Sequence, residues 1–170
     1  FGKLKPEVIA LSPEGKRTYF VKSEYVKVCV SNPEVVGIVV DKWRKAGRPD
    51  IWSMCPNDGR GFCVCPECRK LDSEEARKAS AEDVWNGRVI LTDRYVDFWN
   101  RVLKELKKEN PKVQICVFGY GPYKRFPKGK TLESGVMAAI VPGDFDVRGK
   151  GMEEWNSWAR SGAKLFILPN

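Results

Sequence analysis

The sequence contains no histidine. That excludes a Ser/His or Cys/His catalytic pair within the chain, and it leaves sulfur and oxygen as the ligands for any metal. No signal peptide is visible, nor any apolar run approaching the ~20 residues of a membrane span. Internal repeats and low-complexity segments are missing too. Acidic residues are fewer than basic ones, 22 against 30, for a net charge of +8. Such an excess invites a nucleic-acid reading, but much of it falls in residues 104–112 and 124–130. The first of these is the end of a predicted helix, where lysines favour the dipole. A diffuse excess without a patterned stripe reads as solvated surface, so a nucleic-acid partner is not expected.

What is present is a globular composition. With 170 residues, 42% hydrophobic and 31% charged, the chain can bury a sizeable core in one domain. It begins at Phe1 rather than Met and stops at Asn170, straight after an apolar run at 165–168. The expectation is a single domain over residues 1–170 that is a piece of something larger.

Along the chain, apolar segments at 8–11 and 18–21 flank the turn Ser12-Pro13-Glu14-Gly15, which suggests a hairpin or ordered loop. Residues 25–30 read as a strand. Ser31-Asn32-Pro33-Glu34 is a helix start, with a capping side chain, an early proline and an acid at the positive end of the dipole. Val35, Val36, Ile38, Val39, Val40 and Trp43 carry that helix to Gly47, and a strand at 50–54 follows. Asp72-Ser73-Glu74-Glu75 is predicted to cap a short polar helix through Ser80. Thr92 or Asp93 opens the most regular helix: Tyr95, Phe98, Trp99, Val102, Leu103 and Leu106 share one face until Asn110-Pro111. Strands at 113–118 and 136–141, a helix at 151–161 and a strand at 165–168 complete the series. Short, fully apolar strands alternating with helices belong to parallel sheets. Five of them are too few for a complete eight-fold barrel, which usually takes upwards of about 200 residues. The fold class is therefore α/β, a partial (β/α) barrel of the TIM type.

The stretch from Ile51 to Cys68 concentrates the candidate chemistry. An apolar run breaks into Pro56-Asn57-Asp58-Gly59, and Cys55, Cys63, Cys65 and Cys68 lie within fourteen residues. In a parallel sheet or barrel, loops after strand C-termini gather binding and catalytic groups. Asp58 is thus a candidate acid, base or sugar-hydroxyl acceptor, against the plainer reading of an Asx-turn residue. Glycoside hydrolysis needs two carboxyl groups, about 5 Å apart for retention or roughly 6.5–9.5 Å for inversion. Asp144, also after a strand, is the best partner in the chain. Tyr120 and Tyr123 follow a strand and are candidates to stack on a sugar, or else pack within their own turn. Of the tryptophans, Trp43, Trp99, Trp155 and Trp158 fall on predicted helices and read as core, whereas Trp52 and Trp85 are undecided. Cys55, Cys63, Cys65 and Cys68 have three readings: four thiolates around a structural zinc, a disulfide-stapled loop, or reduced, partly buried thiols. In each, the cysteines shape the loop that presents Asn57 and Asp58. Cys29 and Cys116 lie in apolar strands and read as small core residues.

Four blocks, K-V-C-V-S-N-P-E-V (27–35), S-M-C-P-N-D-G-R-G-F-C-V-C-P-E-C-R-K-L (53–71), the helix at 95–107 with Asn110-Pro111, and P-E-V-I-A-L-S-P-E-G-K-R (6–17), resemble successive blocks of the domain-of-unknown-function family 4838. The resemblance implies a large bacterial parent similar to TIM-barrel glycoside hydrolases, often next to an α-glucuronidase-like domain. It further implies an exported or extracellular setting, a polysaccharide or glycoconjugate as substrate, and the remainder of the barrel and neighbouring domains as partners. Asp58 and Asp144 would then serve a possible O-glycosyl hydrolase, with Asn57, Tyr120 and Tyr123 at the substrate and no cofactor needed for catalysis. The competing reading is a non-catalytic, zinc-stabilised binding module that uses the basic surface.

Overall fold

The computed structural model describes residues 4–17, 26–141 and 152–168. Helix α1 spans Pro33–Lys45; Asn32 caps it by accepting from the Glu34 amide at 2.9 Å, and Pro33 opens its first turn. It buries Val35, Val36, Val40 and Trp43 and stops at Gly47, whose φ of +86° suits a residue without a β-carbon. Strand β1, Ile51–Ser53, follows at once. Three five-residue helices then fill the crossover: α2, Pro66–Lys70; α3, Glu74–Lys78; and α4, Ala81–Trp85. Helix α5, Thr92–Glu109, buries Tyr95, Phe98, Trp99, Val102, Leu103 and Leu106 on the face its periodicity marks. Asp97 and Arg101 pair at 2.8 Å on its other side.

Strand β2 is Gln114–Gly119, β3 is Val136–Ile140, helix α6 is Met152–Ala159, and strand β4 is Lys164–Ile167. The four strands form one sheet in the order β1-β2-β3-β4, and every pairing is parallel. This is an α/β architecture consistent with a partial (β/α) barrel. The core runs between the sheet and the helices, with Trp43, Trp99, Trp158, Leu103, Leu106 and Ile115 fully enclosed. Burial of such large side chains is the main force holding these layers together.

Two expectations change. Residues 26–30 do not join the sheet: Val28 makes a single antiparallel bridge with Ile9, and this segment runs against Val8 and Ala10. The sheet therefore has four strands rather than five among the described residues. The strands are also not uniformly buried. β3 is nearly so, but β2 alternates between buried and half-buried residues, and the edge strands β1 and β4 expose Ile51, Phe166 and Ile167. Only the helix-facing side of the sheet is fully covered. The turn at 12–15 is present, closed by hydrogen bonds between Ser12 and Gly15 and between Ser12 and Lys16. The predicted segment at 18–21 lies outside the described residues.

Candidate metal centre and the loop it holds

Cys63, Cys65 and Cys68 come from the loop after β1, with Cys65 serving as N-cap of α2. The fourth sulfur beside them belongs to Cys29, brought in by the pairing of residues 27–29 with 8–10. All four side chains are buried, and their Sγ atoms lie within 4.8 Å of one another. Cys29 Sγ is 3.6 Å from that of Cys65 and 3.8 Å from that of Cys68. Four thiolates in a tetrahedron about 2.3 Å from a zinc ion would stand about 3.8 Å apart. A disulfide needs about 2.05 Å, and all six cysteines are free thiols here. The chemistry and spacing of the donor set fit a tetrathiolate zinc site.

The surroundings suit negative sulfur. Backbone amides donate to two of the sulfurs, Leu11 to Cys63 at 3.2 Å and Cys68 to Cys65 at 3.4 Å. The Ser31 hydroxyl lies 3.2 Å from Cys68 Sγ and 3.4 Å from Cys29 Sγ. Partial burial of Arg17 disfavours its charge, but hydrogen bonding to Cys29 and Cys65 and attraction to the cluster outweigh this and raise its pKa. Hydrogen bonds inside the cluster divide the protons unequally. Cys63 holds Cys29 down to about 5, and Cys29 first, then Cys63 and Cys68, push Cys65 far down. Cys63 and Cys68 move up, led by their hydrogen bonds with Cys29. Thiolates are the species that bind metal.

Cys55, expected among the ligands, is not in this cluster. It stands at the exit of β1 beside Cys116 of β2, and its Sγ lies 3.5 Å from the Cys116 carbonyl oxygen. Sequence reasoning grouped Cys55 with the others because they are close in the chain, and it assigned Cys29 to an apolar strand. No spacing in the sequence marks Cys29, which is placed by the backbone pairing of residues 27–29 with 8–10.

The post-β1 loop is held from a second side by Lys27. Its ammonium donates to the Asn57 carbonyl at 2.5 Å, to Asn57 Oδ1 at 3.2 Å and to the Asp58 carbonyl at 3.4 Å, and it sits 4.5 Å above the Phe62 ring. Burial lowers the Lys27 pKa to about 8, with Asp58 pulling it back up. Lys27 and Cys29, two residues apart, thus grip opposite ends of one loop. Asn57 also donates from its side-chain amide to the Val26 carbonyl at 3.3 Å, so this amide is engaged in fixing the loop. Asp58 stands exposed at the loop tip. Beside the loop lies a cavity of about 270 Å³, bounded by Val28, Val35, Trp52, Cys55, Asn57 and Phe98 among others.

Beyond β2, Tyr120 is 43% exposed and stands at a strand C-terminus next to that of β1. Tyr123 is buried in an aromatic cluster with Phe62, Tyr95 and Trp99, its ring centroid 4.6 Å from that of Tyr95. It cannot reach a ligand at the surface, and its turn packs inward. Asp144 lies outside the described residues. Trp85, left undecided by the sequence, is buried at the end of α4.

A further clamp was not foreseen. Arg94 of α5 forms a fork to Asp72, Nε to Oδ1 at 2.6 Å and Nη2 to Oδ2 at 2.5 Å, and its Nη1 donates to the Cys63 carbonyl at 2.6 Å. Both side chains are essentially fully buried. The longest helix is thereby tied to the cysteine loop.

The search of curated proteins gives no match. The family model described as "Domain of unknown function (DUF4838)" matches residues 1–164, and the chain belongs to that family.

Proposed function

We propose that the chain is a zinc-stapled (β/α) module whose post-β1 loop is offered to a carbohydrate. The observation that carries the zinc is the set of four buried sulfurs within 4.8 Å of one another, contributed by two segments distant in sequence. A structural zinc closes its coordination with protein ligands and contributes directly to folding. Here it would lock residues 8–11 and 27–31 onto residues 63–68 and so fix the base of the Asn57-Asp58 loop.

The carbohydrate half rests on position. Asp58 and Tyr120 are exposed beyond the C-terminal ends of adjacent parallel strands, where such folds keep their sites. A carboxylate that accepts from hydroxyls, beside an aromatic ring with an apolar face, is a sugar-binding pair. Hydrolysis is the second reading, favoured by the same placement of Asp58: one carboxylic acid would protonate the glycosidic oxygen while a second carboxylate attacks or activates water. The basic surface supports a nucleic-acid role less well, because many of its charges are committed to surface ion pairs, such as Arg44 and Arg48 with Glu109 and Lys78 with Glu74.

Metal content by plasma mass spectrometry on the purified chain, with thiols counted before and after chelation, tests the zinc. The expected outcome is about one zinc per chain, with four thiols unmasked on chelation; no metal and no unmasking would sink it. Oligosaccharide binding at low and high salt tests the ligand class. Sugar binding should be nearly insensitive to salt, whereas binding by a basic face should weaken steeply. Asp58→Asn should abolish hydrolysis of any polysaccharide the protein cleaves, and retained turnover would remove Asp58 from catalysis.

A further inference from the structure

Cys55 and Cys116 are left over from the zinc set, yet they are not isolated. Strand register pairs Ser53 with Cys116, and the Met54 amide donates to the Cys116 carbonyl at 2.8 Å. Ser53 thus shares the face that carries Cys116, and Cys55, two residues beyond the end of β1, places its Sγ 3.5 Å from the Cys116 carbonyl oxygen. That face is the one the helices leave open: Gln114, Cys116 and Phe118 are half-buried, whereas Ile115, Val117 and Gly119 on the opposite face are buried. Cys55 is half-buried as well, and it lines the cavity next to the loop. The interaction between the two thiols lowers Cys116 to about 7 and raises Cys55. A reachable thiolate with a second thiol in contact is the arrangement of a dithiol that exchanges disulfides.

We propose that Cys55 and Cys116 are a redox-active dithiol site that takes low-molecular-weight disulfides and closes to an intramolecular bond between β1 and β2. The Cys116 thiolate attacks one sulfur of the disulfide and expels the other half as a thiolate. Cys55, losing its proton to solvent, then attacks the Cys116 sulfur of the mixed disulfide and expels the second half. Two protein thiols are oxidised by two electrons, and one small disulfide is reduced to two thiols. Closure ties Cys55, three residues before Asp58, to the neighbouring strand and so fixes the start of the presenting loop. This site is separate from the zinc cluster and does not depend on it.

The test is to incubate the full chain, as purified with its metal, with oxidised glutathione, quench with acid, alkylate, and map all six cysteines by mass spectrometry. A cross-link between the peptides of Cys55 and Cys116 is expected, with alkylatable thiols falling from six to four and returning to six after dithiothreitol. Cys116→Ser should remove the cross-link and leave Cys55 without a partner. Glutathione attached separately to both cysteines with no cross-link, or both remaining free at long incubation, overturns the proposal. A cross-link accompanied by oxidation of the cluster cysteines still supports the dithiol and counts against the zinc reading alone.

Discussion

Arg94 and Cys29 carry much of the local architecture as single side chains, and neither stands out in the sequence. Arg94 lies on the helix face where Tyr95 and Phe98 mark the core, but a charged residue there reads as surface until its partner is known. Its partner, Asp72, is twenty-two positions away, next to a helix start that accounted for an acid without any long-range role. Asp72→Ala leaves a guanidinium buried with one hydrogen bond, and removing one member of a buried pair costs about 3–5 kcal/mol. Denaturant unfolding should show that loss, together with weaker zinc retention because Arg94 also holds the Cys63 carbonyl. Cys29→Ser should lower zinc affinity sharply, whereas Cys55→Ser should leave one zinc bound; competition with a chromogenic chelator separates the two. Three of the four cluster cysteines were legible from spacing alone. The fourth was not, because spacing along the chain carries no information about a segment that folds back from thirty-odd residues upstream.

At the scale of elements, legibility followed length and periodicity. α1 and α5 were readable with their caps and buried faces, because many residues repeat the same pattern and the errors average out. α2 and α4, five residues each, were not, since a single turn held by a cap has too few positions to show a period. The post-β1 connection depends on one such junction. Gly87 ends the turn after α4 with φ of +67°, and a β-carbon there would lie 2.6 Å from Phe62 and 2.9 Å from Pro122. Gly87→Ala combines a disfavoured backbone with overpacking, which typically costs about 1–3 kcal/mol. The expected result is a lower unfolding midpoint together with a shifted Phe62, seen as altered reactivity of its neighbour Cys63 towards a thiol reagent. The strand at 25–30 was the clearest misreading. The hydrogen bonds of its described part, residues 26–30, go to residues 8–10, and no propensity scale distinguishes a sheet partner from a local bridge.

At the scale of the molecule, the sheet ends in two edges that no strand among the described residues pairs with. No described strand covers the outer side of β1 or β4, and Ile51 and Ile167 are 58% and 53% exposed there. Open apolar edges promote association. Ile51→Lys combined with Ile167→Lys should therefore reduce concentration-dependent light scattering while leaving zinc content unchanged. The order β1-β2-β3-β4 bears on how the chain assembles. Each strand pairs with the one made just before it, so the sheet can grow outward as the polypeptide is synthesised, with no strand inserted between two already in place. The cysteines of the cluster, Cys29 to Cys68, all precede β2, so the thiol tetrad can be complete before the second strand leaves the ribosome. The four sulfurs and the segments they join, residues 8–11, 27–31 and 63–68, can thus form the base on which β2, β3 and β4 dock in turn.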